Sequence, residues 1–179
     1  MHQNPPLMKT ILLLPVIVAI ALFSSCSFKI NSLTPSDSLQ IGATLDAFNK
    51  AAASADYDAY FAFYTDDATF IGTDATEIWD KKAYMVWAKP YFDKKTTWNF
   101  KSLERHIYAG KNKDIAWFDE LLDTQMKLCR GSGVMVRVKG VWKVQQYVLS
   151  MTVPNSVMEP VVELKTPEED VILKKLKRL

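Results

Sequence analysis

The first half of the chain repeats its apolar residues at helical spacing. Thr34 and Pro35 form a helix-start signal, because threonine caps helices and proline suits the first helical position. Apolar residues then recur every third or fourth position, which predicts a helix over 35–55. The residues that carry this pattern are Leu39, Ile41, Leu45 and Phe48. A shorter helix is expected to restart at Asp56 and to run through Tyr64.

A short strand over 68–71 and a third helix over 81–92 complete this half. Gly72 to Asp74 reads as the turn between them, since glycine relieves backbone strain in turns. The third helix is predicted from aromatic residues at i, i+3 and i+7, namely Tyr84, Trp87 and Tyr91. Pro90 is expected to end or kink this helix.

After Phe92 the period of the pattern changes to two, which indicates strands. The strands are predicted over 96–108, 115–122, 126–138 and 141–153, with a polar hairpin loop over 109–114. Gly131 and Gly133 suggest a bulge in the third of them. Helices followed by strands indicate the α+β class.

The C-terminal region, residues 155–179, is charged and differs from the rest. Thr166 and Pro167 form another helix-start signal, and an amphipathic helix with basic residues follows. Two interpretations remain open. The helix packs on the domain or frays in solvent, or it lies on a membrane surface.

The N-terminal region reads as a targeting segment. Lys9 precedes an uncharged apolar run from Ile11 to Phe23, which is shorter than the roughly 20 residues of a membrane span. Small residues and Cys26 follow, and this order resembles a lipobox. We therefore predict a signal peptide over 1–25, a lipidated tether over 26–34 and a folded domain over 35–154, in a lipoprotein of the bacterial envelope that faces the periplasm. Ser27 favours the outer membrane by analogy.

Composition narrows the possible partners. Hydrophobic residues make up 49% of the 179 residues, enough for one packed core. The net charge is only +2, which gives no electrostatic case for nucleic acid. If Cys26 carries lipid, Cys129 has no partner for a disulfide. One histidine, His106, follows the predicted signal peptide, so a metal site is not expected, and no sequence fingerprint of a phosphate-binding or dinucleotide cofactor appears.

Three segments resemble one known family. They are Asp56–Phe70, with the sequence DYDAYFAFYTDDATF, Ile115–Phe118 and Trp142–Val144. Their order is similar to that of the SnoaL-like proteins, third group, of the nuclear transport factor 2-like superfamily. The resemblance covers about residues 39–154. It implies a cone-shaped fold in which three N-terminal helices pack on a curved antiparallel sheet, here with an added C-terminal helix.

The resemblance also allows known chemistry to be checked position by position. Steroid isomerase relatives use a phenol, a carboxylate base and a second acid. Those positions fall on Phe48, Gly72 and near Val134 here, which implies that this activity is absent. Histidines that SnoaL-like relatives carry on the last strand are replaced by Gln146 and Val148.

Two acidic residues and one arginine are the remaining catalytic candidates. Glu120 and Arg130 are expected to face each other across adjacent strands if the hairpin turns near Gln125. Asp119 lies on the opposite face of its strand, and the sequence leaves open which acid points inward. In an enzyme, Asp119 or Glu120 would be the base, and Arg130 or Tyr64 the electrophile.

Aromatic residues suggest a binding pocket instead. The predicted ligand-binding residues are Tyr64, Phe70, Trp79, Trp87, Tyr91, Trp117 and Gln146. Gln146 is expected to face inward with Val144 and Val148, and Tyr147, Leu149 and Met151 to form an outward stripe that pairs two copies in a homodimer. The sequence thus favours a domain without catalysis that binds a small apolar or aromatic ligand or serves as a dimeric assembly module. A pocket enzyme of the isomerase, dehydratase or hydrolase type is the alternative.

Overall fold

A computed structural model of the protein describes residues 33–109 and 113–178. The predicted signal peptide, Cys26 and most of the tether lie outside the described residues, as does the centre of the predicted loop over 109–114. No helix in the described ranges is long and apolar enough to cross a membrane.

Three helices precede most of the sheet, as predicted. They are α1 (Pro35–Ala53), α2 (Tyr57–Ala62) and α3 (Lys81–Asp93). Thr34 caps α1 through a reciprocal pair of hydrogen bonds with Asp37, which fixes the start of this helix where the sequence signal placed it. Pro90 neither ends nor interrupts α3.

Six strands form one curved sheet in the order β2-β1-β6-β5-β4-β3. Their bounds are β1 (Tyr64–Ile71), β2 (Ile78–Asp80), β3 (Lys101–Ala109), β4 (Ile115–Thr124), β5 (Lys127–Val138) and β6 (Val141–Met151). Strands β3 to β6 form the expected antiparallel meander. The expectation of a wholly antiparallel sheet is wrong, because β1 runs parallel to β6 and the sheet is therefore mixed.

The first two strands differ most from the prediction. β1 begins at Tyr64, four residues before the predicted start of this strand, so Tyr64, which was expected to end the second helix, lies in the strand. β2 was not predicted, since three residues are too few to show alternation. β3 starts at Lys101 rather than Thr96.

The register shift between β5 and β6 lies in β6 rather than at the glycines of β5. Val134 pairs with Gln146 and Met135 pairs with Val144, so Gln145 is the extra residue. This bulge reverses the alternation along β6. Tyr147 and Leu149 therefore point into the core, whereas Gln146 and Val148 are on the outer face and only half-buried.

The helices cover one face of the sheet and enclose the core. α1 packs against β3 and β6, and α3 packs against β1 and β2. The core between them is rich in aromatic rings, and Phe48 stacks on Tyr60 with ring centroids 4.7 Å apart.

A fourth helix, α4 (Met158–Leu176), follows a 3-10 turn over Asn155–Val157. The predicted start at Thr166 is wrong. Thr166 lies inside α4, where its hydroxyl donates to the carbonyl of Val162 at 2.6 Å, and Pro167 is also accommodated within the helix.

Candidate functional site

A pocket lined by aromatic rings opens where α3 meets the sheet and the β4–β5 hairpin. Its volume is about 170 Å³. The apolar lining consists of Phe70, Trp79, Tyr84, Trp87, Trp98, Phe100, Met126 and Leu149. We call this the aromatic pocket. The residues between β1 and β2 form one side of its rim, and the hairpin turn forms the other.

The rings of the aromatic pocket are stacked close to parallel. Phe70 and Tyr84 lie 4.2 Å apart with a 6° angle between their planes. Trp79 and Trp87 lie 4.9 Å apart at 29°, and Tyr84 and Trp98 lie 6.2 Å apart at 24°. Offset stacks of this kind are favourable, and an added flat ring would meet further ring faces here.

Glu77 is the one carboxylate among the lining residues. Its Oε2 accepts a hydrogen bond from the backbone N–H of Asp74 at 3.2 Å. The carboxylate folds over Gly72 so closely that a side chain at that position would overlap it. Gly72 therefore makes room for Glu77, and the acid group stands at the rim of the aromatic pocket.

A larger cleft of about 690 Å³ adjoins the aromatic pocket. Trp87, Trp98 and Gln125 line both. The remaining lining is mostly polar and comprises Tyr91, Thr96, Thr97, Asn99, Lys101, Asp123 and Thr124. The two spaces together offer an apolar end and a polar end to one ligand.

A buried ion pair between Arg105 and Glu120 lies on the inner face of the sheet. Glu120 is 0% exposed, and its Oε2 accepts a hydrogen bond from Nε of Arg105 at 2.9 Å. Tyr147 donates to the other carboxylate oxygen at 3.1 Å. Burial on its own would lower the pKa of the Arg105 guanidinium. The charges and hydrogen bonds of Glu120, and then of Asp46, outweigh burial, so the pKa of Arg105 is raised overall. Glu120 is engaged by these partners and lines neither space.

Three tyrosines form a second buried polar group. The hydroxyl of Tyr60 lies 3.1 Å from that of Tyr64 and 3.2 Å from that of Tyr84. Burial raises the pKa of all three phenols. They stay protonated at neutral pH and satisfy one another's hydrogen bonds inside the core.

The structure brings four of the predicted ligand-binding residues together. Phe70, Trp79 and Trp87 line the aromatic pocket, and Tyr91 lines the adjoining cleft. Tyr64 is buried in the core. The inward orientation expected of Gln146 is wrong because the bulge at Gln145 turns it to the outer face.

Trp117 lies on the outer face of the sheet and is 45% exposed. Its ring stacks on Tyr108 at 6.1 Å. The apolar stripe expected there from Tyr147 and Leu149 is wrong, since both side chains are buried. A homodimer through this face stays a prediction.

The expected pair of Glu120 with Arg130 is also wrong. Arg130 lies opposite Leu121, and its guanidinium contacts Asp119 at 3.3 Å on the outer face. Asp119 also bonds to His106 at 3.1 Å, and this bond is the main reason why the pKa of Asp119 is lowered. Asp119 and Arg130 are thus remote from the aromatic pocket, and Glu120 is the acid that points inward.

Sequence reasoning missed Trp98, Tyr84, Met126 and Glu77 as pocket residues. Trp98 and Met126 fall at the starts of the strands predicted over 96–108 and 126–138, but Trp98 lies in an irregular segment before β3 and Met126 lies in the hairpin turn, so the predicted alternation does not give their orientation. Glu77 could have been found as an acid between two aromatic elements. Among the described residues, no cluster of histidine, cysteine and acidic side chains could hold a metal ion.

The sequence itself places the chain in a family. The model of the SnoaL-like domain matches residues 41–154. The chain belongs to the SnoaL-like domain family. The matched range spans α1 to the end of the sheet, so both the aromatic pocket and the buried ion pair lie in the SnoaL-like domain.

Solved structures show the same fold. A nuclear transport factor 2-like protein of unknown function from Pseudomonas putida is 17% identical, with 69% of this chain and 92% of that chain covered and a TM-score of 0.58. A candidate dehydratase of the same superfamily from Streptomyces avermitilis is 15% identical, with 68% and 100% covered and a TM-score of 0.59. At these identities the likeness concerns the fold alone. Comparison with curated proteins found no match.

Proposed function

We propose that this SnoaL-like domain binds a small molecule through one aromatic or flat apolar group. The observation that carries the proposal is the aromatic pocket, with its stacked rings and a volume of about 170 Å³. An apolar cavity of about 150 Å³ is enough to bind benzene. The aromatic pocket therefore has room for about one ring.

The rest of the ligand would occupy the adjoining cleft. Pockets for drug-sized ligands measure about 300–1,000 Å³, so the aromatic pocket alone is too small for one. The cleft supplies hydroxyl and amide groups from Thr96, Asn99 and Gln125, and one charge of each sign from Lys101 and Asp123. These groups suit a neutral or zwitterionic polar end rather than a multiply charged one.

A variant whose side chain fills the aromatic pocket tests this proposal. Met126 lines the aromatic pocket from the hairpin turn, and Met126→Trp would occupy the space for a ligand ring. Leu128→Trp is the matched control, because Leu128 follows two residues later and is exposed on the outer face. p-Cresol, followed by ligand-observed NMR, serves as the probe.

We expect p-cresol to bind to the wild type and to Leu128→Trp, and to lose at least tenfold in affinity for Met126→Trp. Equal binding by all three chains would contradict the proposal. Native mass spectrometry of the chain purified from its host then identifies a retained natural ligand.

Glu77 favours a second candidate, a pocket enzyme of the isomerase, dehydratase or hydrolase type. Its carboxylate stands beside the space where a ring would sit, which is the position that a general base requires. The test compares consumption of host metabolites by the wild type, Glu77→Gln and Glu104→Gln, an exposed acid on β3. Conversion by the wild type and Glu104→Gln but not by Glu77→Gln would support catalysis. Metabolites that stay unchanged with all three chains would contradict the enzyme candidate and leave the binding function as the proposal.

A further inference from the structure

α4 is an amphipathic helix without a partner in the described chain. None of its 19 residues is buried, and the preceding 3-10 turn is its one extensive neighbour. A proline in the middle of a helix costs about 3 kcal/mol, and most helices in proteins depend on packing of an apolar face. Pro167 lies at the centre of α4, so packing of an apolar face against a further partner would stabilise this helix.

Six apolar side chains of α4 form one stripe that is symmetric about Pro167, whereas Leu164 and Val171 lie outside it. Its members are Met158, Val161, Val162, Ile172, Leu173 and Leu176. Met158 and Leu176 lie equally far from Pro167, as do Val161 and Leu173, and Val162 and Ile172. Lys165 and Glu169 occupy the middle of the stripe, at equal distances on either side of Pro167, and form an ion pair of 2.8 Å.

The charges of α4 and of the two residues after it are separated by sign along the helix. The first two thirds hold five acids, Glu159, Glu163, Glu168, Glu169 and Asp170, against one base, Lys165. The last third holds four bases, Lys174, Lys175, Lys177 and Arg178, and no acid. A helix that is acidic at one end and basic at the other complements a reversed copy of itself.

We propose that two copies of this chain associate through α4, as an antiparallel helix pair with its two-fold axis at Pro167. An interface between identical chains with a two-fold axis must be complementary to itself, and the symmetric stripe meets this condition. Met158 faces the partner's Leu176, and Val162 faces the partner's Ile172. Lys165 faces the partner's Glu169, so four alternating charges meet at the axis.

This proposal is independent of the aromatic pocket, and charge reversal tests it in the full-length chain in detergent. In Lys165→Glu all four charges at the axis become negative, and in Glu169→Lys all four become positive. We expect each variant alone to associate about tenfold or more weakly than the wild type in sedimentation equilibrium with density-matched detergent. An equimolar mixture places two negative charges on one chain opposite two positive charges on the other, and it should recover association as a heterodimer.

The mixture separates pairing between chains from helix stability within one chain. Each variant lacks its own Lys165–Glu169 pair whether or not the other variant is present, so a purely internal role predicts no recovery on mixing. Failure to recover would overturn the proposal.

Ile172→Asp and Val171→Asp form a second test. Ile172 belongs to the stripe, whereas Val171 is exposed outside it. Only Ile172→Asp should dissociate the dimer. Equal effects of the two variants would contradict the proposal, as would dissociation by Trp117→Ser without any effect of Ile172→Asp, which would place the interface on the outer sheet face. A monomeric chain whose Cys26→Ser form floats with phosphatidylglycerol vesicles through α4 would also overturn it, in favour of a membrane-surface helix.

Discussion

Glu120 is a fully buried carboxylate whose charge is balanced by Arg105 on the neighbouring strand. Removing one member of a buried ion pair leaves the other uncompensated, at a cost of about 3–5 kcal/mol. We therefore expect Arg105→Met to lower the free energy of unfolding by about that amount. Arg130→Met is the control. Arg130 is half-exposed and its contact with Asp119 is solvated, so its loss should cost less than about 1 kcal/mol. Urea unfolding of the three chains measures both.

Equal losses for the two arginines would show that Glu120 is not held by Arg105.

Sequence reasoning found Glu120 but assigned it the wrong partner. The hairpin turns at Gln125 and Met126, so Glu120 pairs with Gly131, one residue away from the expected register. A shift of one residue changes the face on which each side chain lies. Whether Asp119 or Glu120 points inward therefore depended on a turn that the sequence pattern did not fix.

The strands β5 and β6 approach closely because β5 carries glycines. A side chain at Gly133 would overlap the backbone carbonyl of Gln146 and come within 3.0 Å of the Phe118 ring. Gly133→Ala should therefore destabilise the protein by about 1–3 kcal/mol or more. Gly42→Ala in α1 is the contrasting change, since its nearest neighbour would be Arg105 at 3.8 Å. It should stabilise by about 0.5–1 kcal/mol, as alanine favours helices. Thermal unfolding of both variants checks the opposite signs.

The start of α1 is tied to β5 by a charge that depends on pH. The hydrogen bond from Arg137 lowers the pKa of Asp37 to about 2 from its ordinary value of 3.8, and the backbone N–H of Thr34 contributes. A lowered pKa in the folded state means that stability rises with pH across this window. Asp37→Asn should therefore be less stable than the wild type above about pH 4, and the difference should vanish as the pH falls to about 2.

Urea midpoints of both chains between pH 7 and pH 2 provide the measurement. A difference that stays constant over this range would mean that the side chain acts as a cap alone and that its ionisation is immaterial.

Elements with long, regular patterns were predictable, and short or interrupted ones were not. α1 and α3 carry both a periodic stripe and a capping residue, and their predicted positions are confirmed to within two residues at each end. β2 has three residues, and only the second half of β1 was predicted, because Tyr64 continues the aromatic spacing of α2 and was assigned to that helix. α4 begins eight residues before its predicted start, because Thr166 and Pro167 can occupy a helix interior as well as a helix start.

The aromatic pocket belongs to the assembled molecule rather than to any single element. Its walls come from β1, α3, the segment before β3 and the turn between β4 and β5. The family resemblance predicted the right fold, and the sequence analysis named Phe70, Trp79 and Trp87 as pocket residues. Trp98, Met126 and the rim acid Glu77 could not be placed, since their positions depend on how non-repetitive segments pack.

Attachment of the whole molecule to a membrane is predicted to depend on Cys26, which follows the apolar run and small residues of the N-terminus. We propose that this cysteine is acylated after export. The chain has one other cysteine, Cys129, which is buried in β5 and provides a matched control. Metabolic labelling with an alkyne fatty acid should mark the wild type and Cys129→Ser but leave Cys26→Ser unlabelled. Label retained by Cys26→Ser would exclude lipidation at this site.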